Sequence, residues 1–230
     1  MSNDETQIQN HRRDALKASA IHDIVENIDS FNIEAKTENL LALMKRRDVV
    51  PFLEAVVKLR VPKDDLNSEL LANLVKRINR HFPGTREWAV LEGMEIVKDI
   101  LIKLPKIGFD SGKAMDLRNL GRFLGLLIRH DIDFDIVNQL REAMRSSTDD
   151  LRYVVPFVCQ FLSGGASIPM KFKILKLLKL IHDKDSKIKE VKSEIELLFE
   201  TLEIDMHTFP SAKHVGASGV QGQNPTNHSD

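Results

Sequence analysis

Two stretches decide the reading of the fold: Leu117-Arg-Asn-Leu-Gly-Arg-Phe-Leu-Gly-Leu-Leu127 and Leu151-Arg-Tyr-Val-Val-Pro-Phe-Val-Cys-Gln-Phe-Leu162. In the first, Leu117, Leu120, Phe123, Leu124, Leu127 and Ile128 recur at the spacing of one helical face, while Gly121 and Gly125 stand one turn apart where bulk is expected. A helix with two such notches predicts a second segment packed close against it. In the second, Leu151, Val154, Val155, Val158 and Leu162 form a helical stripe with Pro156 inside it. That proline removes one backbone hydrogen bond and pushes on the Arg152 carbonyl, so a bend is predicted. Neither stretch holds a nucleophile, an acid–base pair or a metal-ligand cluster, so the most distinctive residues point to packing and partner surfaces.

Outward from these stretches the same periodicity continues. A first helix is predicted from Ala15, with Leu16, Ala20, Ile21, Ile24, Val25 and Ile28 inward, and a second over Ala35 to Arg46. Pro51 starts a third to Leu59, and a fourth carries Leu66, Leu70, Leu71, Leu74 and Ile78 until Pro83-Gly84 stops it. Thr85 is placed to cap a fifth, whose stripe is Leu91, Met94, Val97 and Leu101. The sixth is Lys113 to Arg129 and the seventh about Phe134 to Arg145. Ser146 to Asp149 offer caps to the eighth, which Gly164-Gly165 ends; the ninth and tenth span Pro169 to His182 and about Ser186 to Leu202. No alternating strand pattern interrupts them. The expected fold is therefore all-α, a solenoid of about five HEAT-like pairs at ~38 residues each, with the second helix of each pair lining a concave face. Residues 1–13 are expected to be a flexible lead, 14–206 the helical domain and 207–230 a disordered tail.

Composition narrows the function. The 230 residues carry a formal charge of −1, which removes a whole-molecule electrostatic case for nucleic acid or anionic membrane. Cys159 is the sole cysteine and sits among apolar neighbours, so it reads as a buried, inert thiol in a reducing compartment. Neither a signal-peptide core nor a membrane-length apolar run is found, and a soluble intracellular protein is expected. Asp131, Asp133, Asp135 and Glu142 imitate calcium-loop spacing, but Ile136 stands where glycine must turn the loop. The dispersed histidines offer no zinc spacing, and no catalytic constellation survives. The expectation is a protein without catalytic residues, cofactor or metal.

What remains is surface. Opposite the core stripe of the first stretch lie Asn119, Arg122, Leu126 and Arg129, and a second face of the eighth helix presents Arg152, Tyr153, Phe157 and Gln160. Mixed apolar and arginine surfaces suit a protein interface. The alternative, helices sandwiched between neighbours, fits the same pattern equally well. Lys173, Lys176 and Lys179 form a basic strip that would serve RNA contact, although aromatic stacking residues are absent apart from Phe172 and Asp183, Asp185 and Glu190 dilute the charge.

The runs from Leu117 and Leu151, the closing Lys192-Ser-Glu-Ile-Glu-Leu-Leu-Phe-Glu-Thr-Leu-Glu-Ile-Asp205, and Val49-Val-Pro-Phe52 closely resemble the central domain of the scaffold subunit of the CCR-NOT mRNA deadenylase complex, over about Ile21 to Met206. That domain has the fold of the middle domain of initiation factor 4G. The resemblance implies a non-catalytic adaptor that holds a Caf-type deadenylase on one face and binds a DEAD-box RNA helicase of translational repression and decapping in its concavity, beside other CCR-NOT subunits. It implies weak or no direct nucleic-acid binding, no membrane, and a cytoplasmic setting with a nuclear share also allowed. Asn119, Arg122, Arg152, Tyr153 and Phe157 become the expected partner contacts. Two loops depart from the family: His130-Asp131 replaces a longer element, and Gly164 to Pro169 replaces a Pro-Pro-Asn-Pro-Trp segment. The length fits this one domain, either excised or a minimal form. The alternatives are an initiation-factor-4G-like adaptor for a translation or RNA-processing helicase, and a direct RNA-binding helical module.

Overall fold

The computed structural model describes residues 3–64, 67–103, 109–128, 136–146, 148–165, 171–184 and 188–210. All regular structure among them is helical, in the order α1 (Asn3–Glu26), α2 (Ile33–Leu43), α3 (Val49–Leu53), α4 (Ser68–His81), α5 (Thr85–Lys103), α6 (Ser111–Leu127), α7 (Ile136–Ser146), α8 (Thr148–Ser163), α9 (Lys171–Lys184) and α10 (Lys189–Thr201). The α3 helix continues through a widened π turn, Glu54–Arg60, and a tight 3-10 turn, Val61–Lys63. The Arg60 guanidinium there donates to the carbonyls of Val25 and Ile28 at the end of α1, the Val25 oxygen also accepting the Ile28 N–H at 3.3 Å.

Contacts run α2 to α4, α4 to α6, α6 to α8 and α8 to α10, so the even-numbered helices pack in chain order, while α1, α3 and α5 stack alongside them. One apolar core threads both sets, from Ile21 and Val25 through Phe52, Leu74 and Val97 to Leu124, Val158, Leu178 and Phe199. Burial of this kind stabilises by about 25 cal/mol per Å² of apolar surface, and it explains why stripes rather than individual propensities located the helices.

Several local expectations change. Residues 3–13, expected to be a loose lead, extend α1. Leu16 and Leu91, placed inward by the periodic reading, are 65% and 61% exposed, because the buried arcs of their helices run through Ile21 and Val25 and through Ala89, Val90, Gly93 and Val97. Thr85 does not cap α5; Asn79 of α4 reaches over the turn, its Oδ1 accepting the N–H groups of Gly84 and Arg86, while the Thr85 hydroxyl donates to the Phe82 carbonyl. Gly84, at φ +97°, makes that turn as a left-handed residue. The α8 helix spans Thr148–Ser163 with Pro156 inside it. Phe209, in the segment expected to be tail, packs edge-on against Phe172 and Phe199. The tail from 211, the 130–135 linker and the 166–170 loop lie outside the described residues, as does much of the expected cap of α8.

Candidate protein-interaction surface

The seam between α6 and α8 accounts for the two deciding stretches. A Cβ on Gly121 or Gly125 would stand closer than 3.0 Å to the carbonyl oxygen of Phe157 or Phe161, and one on Gly164 would crowd the Arg122 carbonyl. The two backbones therefore touch where the glycines allow it. With α6 on one side and α7 and α10 on others, α8 has little free surface: Tyr153, Phe157 and Phe161 are almost wholly buried, and only Arg152, Pro156, Gln160 and Ser163 break a run of buried residues.

This corrects three of the expected contact residues. Tyr153 (1% exposed) and Phe157 (2%) belong to the core, and Asn119 (4%) lies between helices, its amide donating to the Pro62 carbonyl at 2.9 Å. The Tyr153 hydroxyl accepts the Asp110 N–H, and Asp110 in turn caps α6 by accepting from the Gly112 and Lys113 N–H groups at 2.8 and 3.2 Å. The sandwiched alternative holds for these side chains. Arg122 and Leu126 are half-buried on α6, and Arg129 lies outside the described residues.

Arg152 does reach surface, in a groove the sequence reading did not anticipate. The space, about 570 Å³, runs between the N-terminal parts of α6 and α10 over α8, with Phe109, Met115, Pro156 and Val191 as apolar walls and Arg118, Arg152 and Glu194 as polar ones. The Arg152 guanidinium lies 5.1 Å from the centre of the Phe109 ring and 3.3 Å from the Asp149 carboxylate. Phe109 itself leans on Tyr153, ring centres 5.3 Å apart, so the buried tyrosine positions an exposed phenylalanine. Arg118 bridges α6 to α10 through Glu194 at 3.0 Å. Pro156 adds an acceptor: lacking an N–H, it leaves the Arg152 carbonyl without its helical donor on the side of α8 that faces the groove. Phe109 had a legible signal, an apolar residue just before the capping Asp110. The contributions of α10 did not, because they arrive from some seventy residues downstream.

Other candidates resolve differently. Burial pushes the Cys159 thiol well above the ordinary cysteine range, with Glu194 adding to the effect and Arg118 opposing it, which suits an inert core residue. In the basic strip Lys173 is exposed, but Lys176 sits 4.5 Å above the Phe172 ring and Lys179 pairs with Asp183 at 2.6 Å, so two of the three cations are already engaged. His22, Asp23 and Glu26 gather on one exposed face of α1, a spacing that helical ion pairing explains. No described helix is long and apolar enough to cross a membrane.

The arrangement is suited to grip a protein. Its walls offer aromatic, methionine and arginine side chains, the types enriched in interface cores, over a scaffold held rigid by close helix packing. The family model described as the CCR4-NOT transcription complex subunit 1 CAF1-binding domain matches residues 11–224, nearly the whole chain and both deciding stretches. This chain accordingly belongs to the family of CCR4-NOT transcription complex subunit 1 CAF1-binding domains.

Proposed function

We propose that the chain is a non-catalytic scaffold that tethers a Caf-type deadenylase within the CCR-NOT complex and engages a DEAD-box RNA helicase, so that poly(A) shortening and translational repression act on the same mRNA in the cytoplasm. The observation that carries the reading is the family match across residues 11–224. The ten helices are read as five HEAT-like pairs of the initiation factor 4G middle-domain kind, a reading supported by the chain-order packing of α2, α4, α6, α8 and α10. On it, the α6–α8–α10 groove is the helicase surface: Arg152 and Arg118 supply donors, the Arg152 carbonyl supplies an acceptor, and Phe109, Met115 and Pro156 supply apolar contact. Arg122, half-buried on α6 beside a smaller cleft formed with α10, extends it.

The test is a calorimetric titration of the purified chain with a Caf-type deadenylase and, separately, with a DEAD-box helicase of the decapping pathway. Binding of the nuclease at micromolar affinity or better, with helicase binding lost in Arg152→Glu, is the expected result. Failure to bind the nuclease sinks the scaffold reading; helicase binding alone moves the protein to a translation-type adaptor. RNA affinity that falls steeply with salt and with neutralisation of Lys173, Lys176 and Lys179 would mark a direct RNA-binding module instead.

A further inference from the structure

The segment that follows α10 turns back over the last two helices. At Glu203 the main chain takes φ +55°, the left-handed region that costs energy for any residue but glycine. The N–H groups of Leu202, Glu203 and Ile204 close the turn on the carbonyls of Leu198, Glu200 and Phe199. Beyond it, Ile204, Met206 and Phe209 lie half-buried against the core, while Asp205, His207 and Thr208 between them are exposed. Phe209 reaches the start of α9: its ring centre stands 5.2 Å from that of Phe172 and 5.3 Å from that of Phe199, and Lys176 lies 4.5 Å over the Phe172 ring. A terminal helix pair leaves an apolar face that a further helix would otherwise cover, and here a strap covers it. The hold is light. Among the described residues, the strap's hydrogen bonds beyond Ile204 stay within it: the Asp205 carboxylate accepts the His207 N–H at 2.9 Å and the Asp205 carbonyl accepts the Phe209 N–H at 3.1 Å. Its grip on α9 rests on side-chain contact, and Phe172 keeps 54% of its surface in water. Segments with so few buried contacts open at a free energy well below that of the whole fold.

We propose that residues 202–210 are a displaceable strap. They occupy, from within the chain, an apolar seat between the start of α9 and the end of α10. That seat takes from another protein a short unfolded segment of the same chemistry: two aliphatic or methionine side chains two residues apart, then a phenylalanine three residues further on. The strap itself is the argument for the occupant, because Ile204, Met206 and Phe209 show which side chains the seat accepts and in what order. A segment that reads out as spaced apolar anchors is one a disordered partner can supply, ordering as it binds. Glu203 marks the hinge, since backbone strain persists only while the contacts around it hold, and release there leaves α9 and α10 to their own packing. Joined directly to α10, the strap meets its seat at an effective concentration on the order of millimolar, so a partner segment wins by binding tighter or when the strap is weakened. The seat lies at the end of α10 remote from the α6–α8–α10 groove, whose α10 residues come from the start of that helix, so the proposal stands or falls apart from the scaffold reading.

The probe is a fluorescein-labelled peptide of the chain's own residues 202–210, titrated by fluorescence anisotropy into the full chain. A Phe209→Ala chain, whose aromatic seat is vacated while Phe172 and Phe199 remain, is expected to bind it at least tenfold more tightly than the wild type and to keep the wild-type circular dichroism. Phe209→Ala made in the peptide instead, or Phe172→Ala added to the Phe209→Ala chain, should abolish that binding. Glu203→Gly, which relieves the turn without touching the seat, should make the chain bind the peptide severalfold more weakly than the wild type. A fluorine label on the ring at position 209 of the otherwise unaltered chain supplies a readout that needs no destabilising variant: excess unlabelled peptide should move its signal to where the same label resonates in the free peptide. Equal affinity for the wild type and Phe209→Ala, or a fluorine signal unmoved by millimolar peptide, overturns the proposal and makes the strap a fixed cover. Concentration-dependent dimerisation of the wild type that Phe209→Ala abolishes would make a second copy the occupant, and overturns it as well.

Discussion

The α6–α8 seam and the cleft where α5 faces α3, about Val50, Trp88 and Leu91, are both meetings of two helices, yet one is closed to the backbone and the other stands open. At the seam, Gly121, Gly125 and Gly164 let main chain touch main chain, and the large residues of α8 are absorbed on every side. At the cleft no glycine notch lies between the facing stripes, and Val50, Trp88 and Leu91 remain in solvent. The difference teaches that conspicuous sequence need not be exposed sequence. Residues that look like an interface, Tyr153 and Phe157, serve the interior, while Leu91, which looks like an ordinary core residue, faces out.

The sharpest way to break the comparison is Gly125→Ala. The added methyl has only the Phe161 backbone to push against, so a loss of about 3 kcal/mol, seen as a drop in the denaturation midpoint, is expected. A loss under about 0.5 kcal/mol would mean that the seam is not backbone-tight.

The helix that carries one wall of the cleft is pinned at its start by Asp48. Burial pushes the Asp48 carboxyl up, but hydrogen bonds from Lys17 at 2.5 Å and from the Lys45 N–H at 2.6 Å hold it on balance below the ordinary carboxylate value. A carboxyl depressed in the folded state stabilises above its unfolded pKa and loses that contribution as pH falls through the folded one. Asp48→Asn should therefore cost about 2 kcal/mol at neutral pH and flatten the acid limb of a stability-versus-pH curve. An unaltered acid limb would show that the group does not anchor α3.

Tyr153→Phe separates packing from hydrogen bonding at the seam. It removes only the hydroxyl that accepts the Asp110 N–H, and about 1 kcal/mol is expected by chemical denaturation. Because Tyr153 also supports the Phe109 ring, helicase affinity should fall a little as well.

Smallest in its effect on the fold is Arg152→Glu. The side chain is partly exposed and its contacts are local, so stability should stay within about 0.5 kcal/mol, whereas helicase binding should fall tenfold or more. Equal losses in both would place Arg152 with the core and erase the distinction between seam and groove.

Much of the architecture was legible in advance because helical stripes record burial directly. The inward set Ile188, Val191, Ile195, Leu198 and Phe199 of the last helix, the stops at Gly84 and Gly165, and the close approach at Gly121 and Gly125 were readable because each depends on neighbours within a turn or two. The site was less legible. A helix with two apolar faces is written alike whether the second face meets a partner protein or another helix of its own chain, and α8 shows the case in which its own chain wins. Local sequence thus determined that the chain is helical, where most helices turn and which backbones can touch, since those follow from side-chain size and backbone freedom. Only the tertiary structure decided which apolar residues stay in water and which distant charges share a groove. Arg118 finds Glu194 across α6 and α10, and Trp88 finds Val50 across α5 and α3, by the packing angles of whole helices, which no short window of sequence contains.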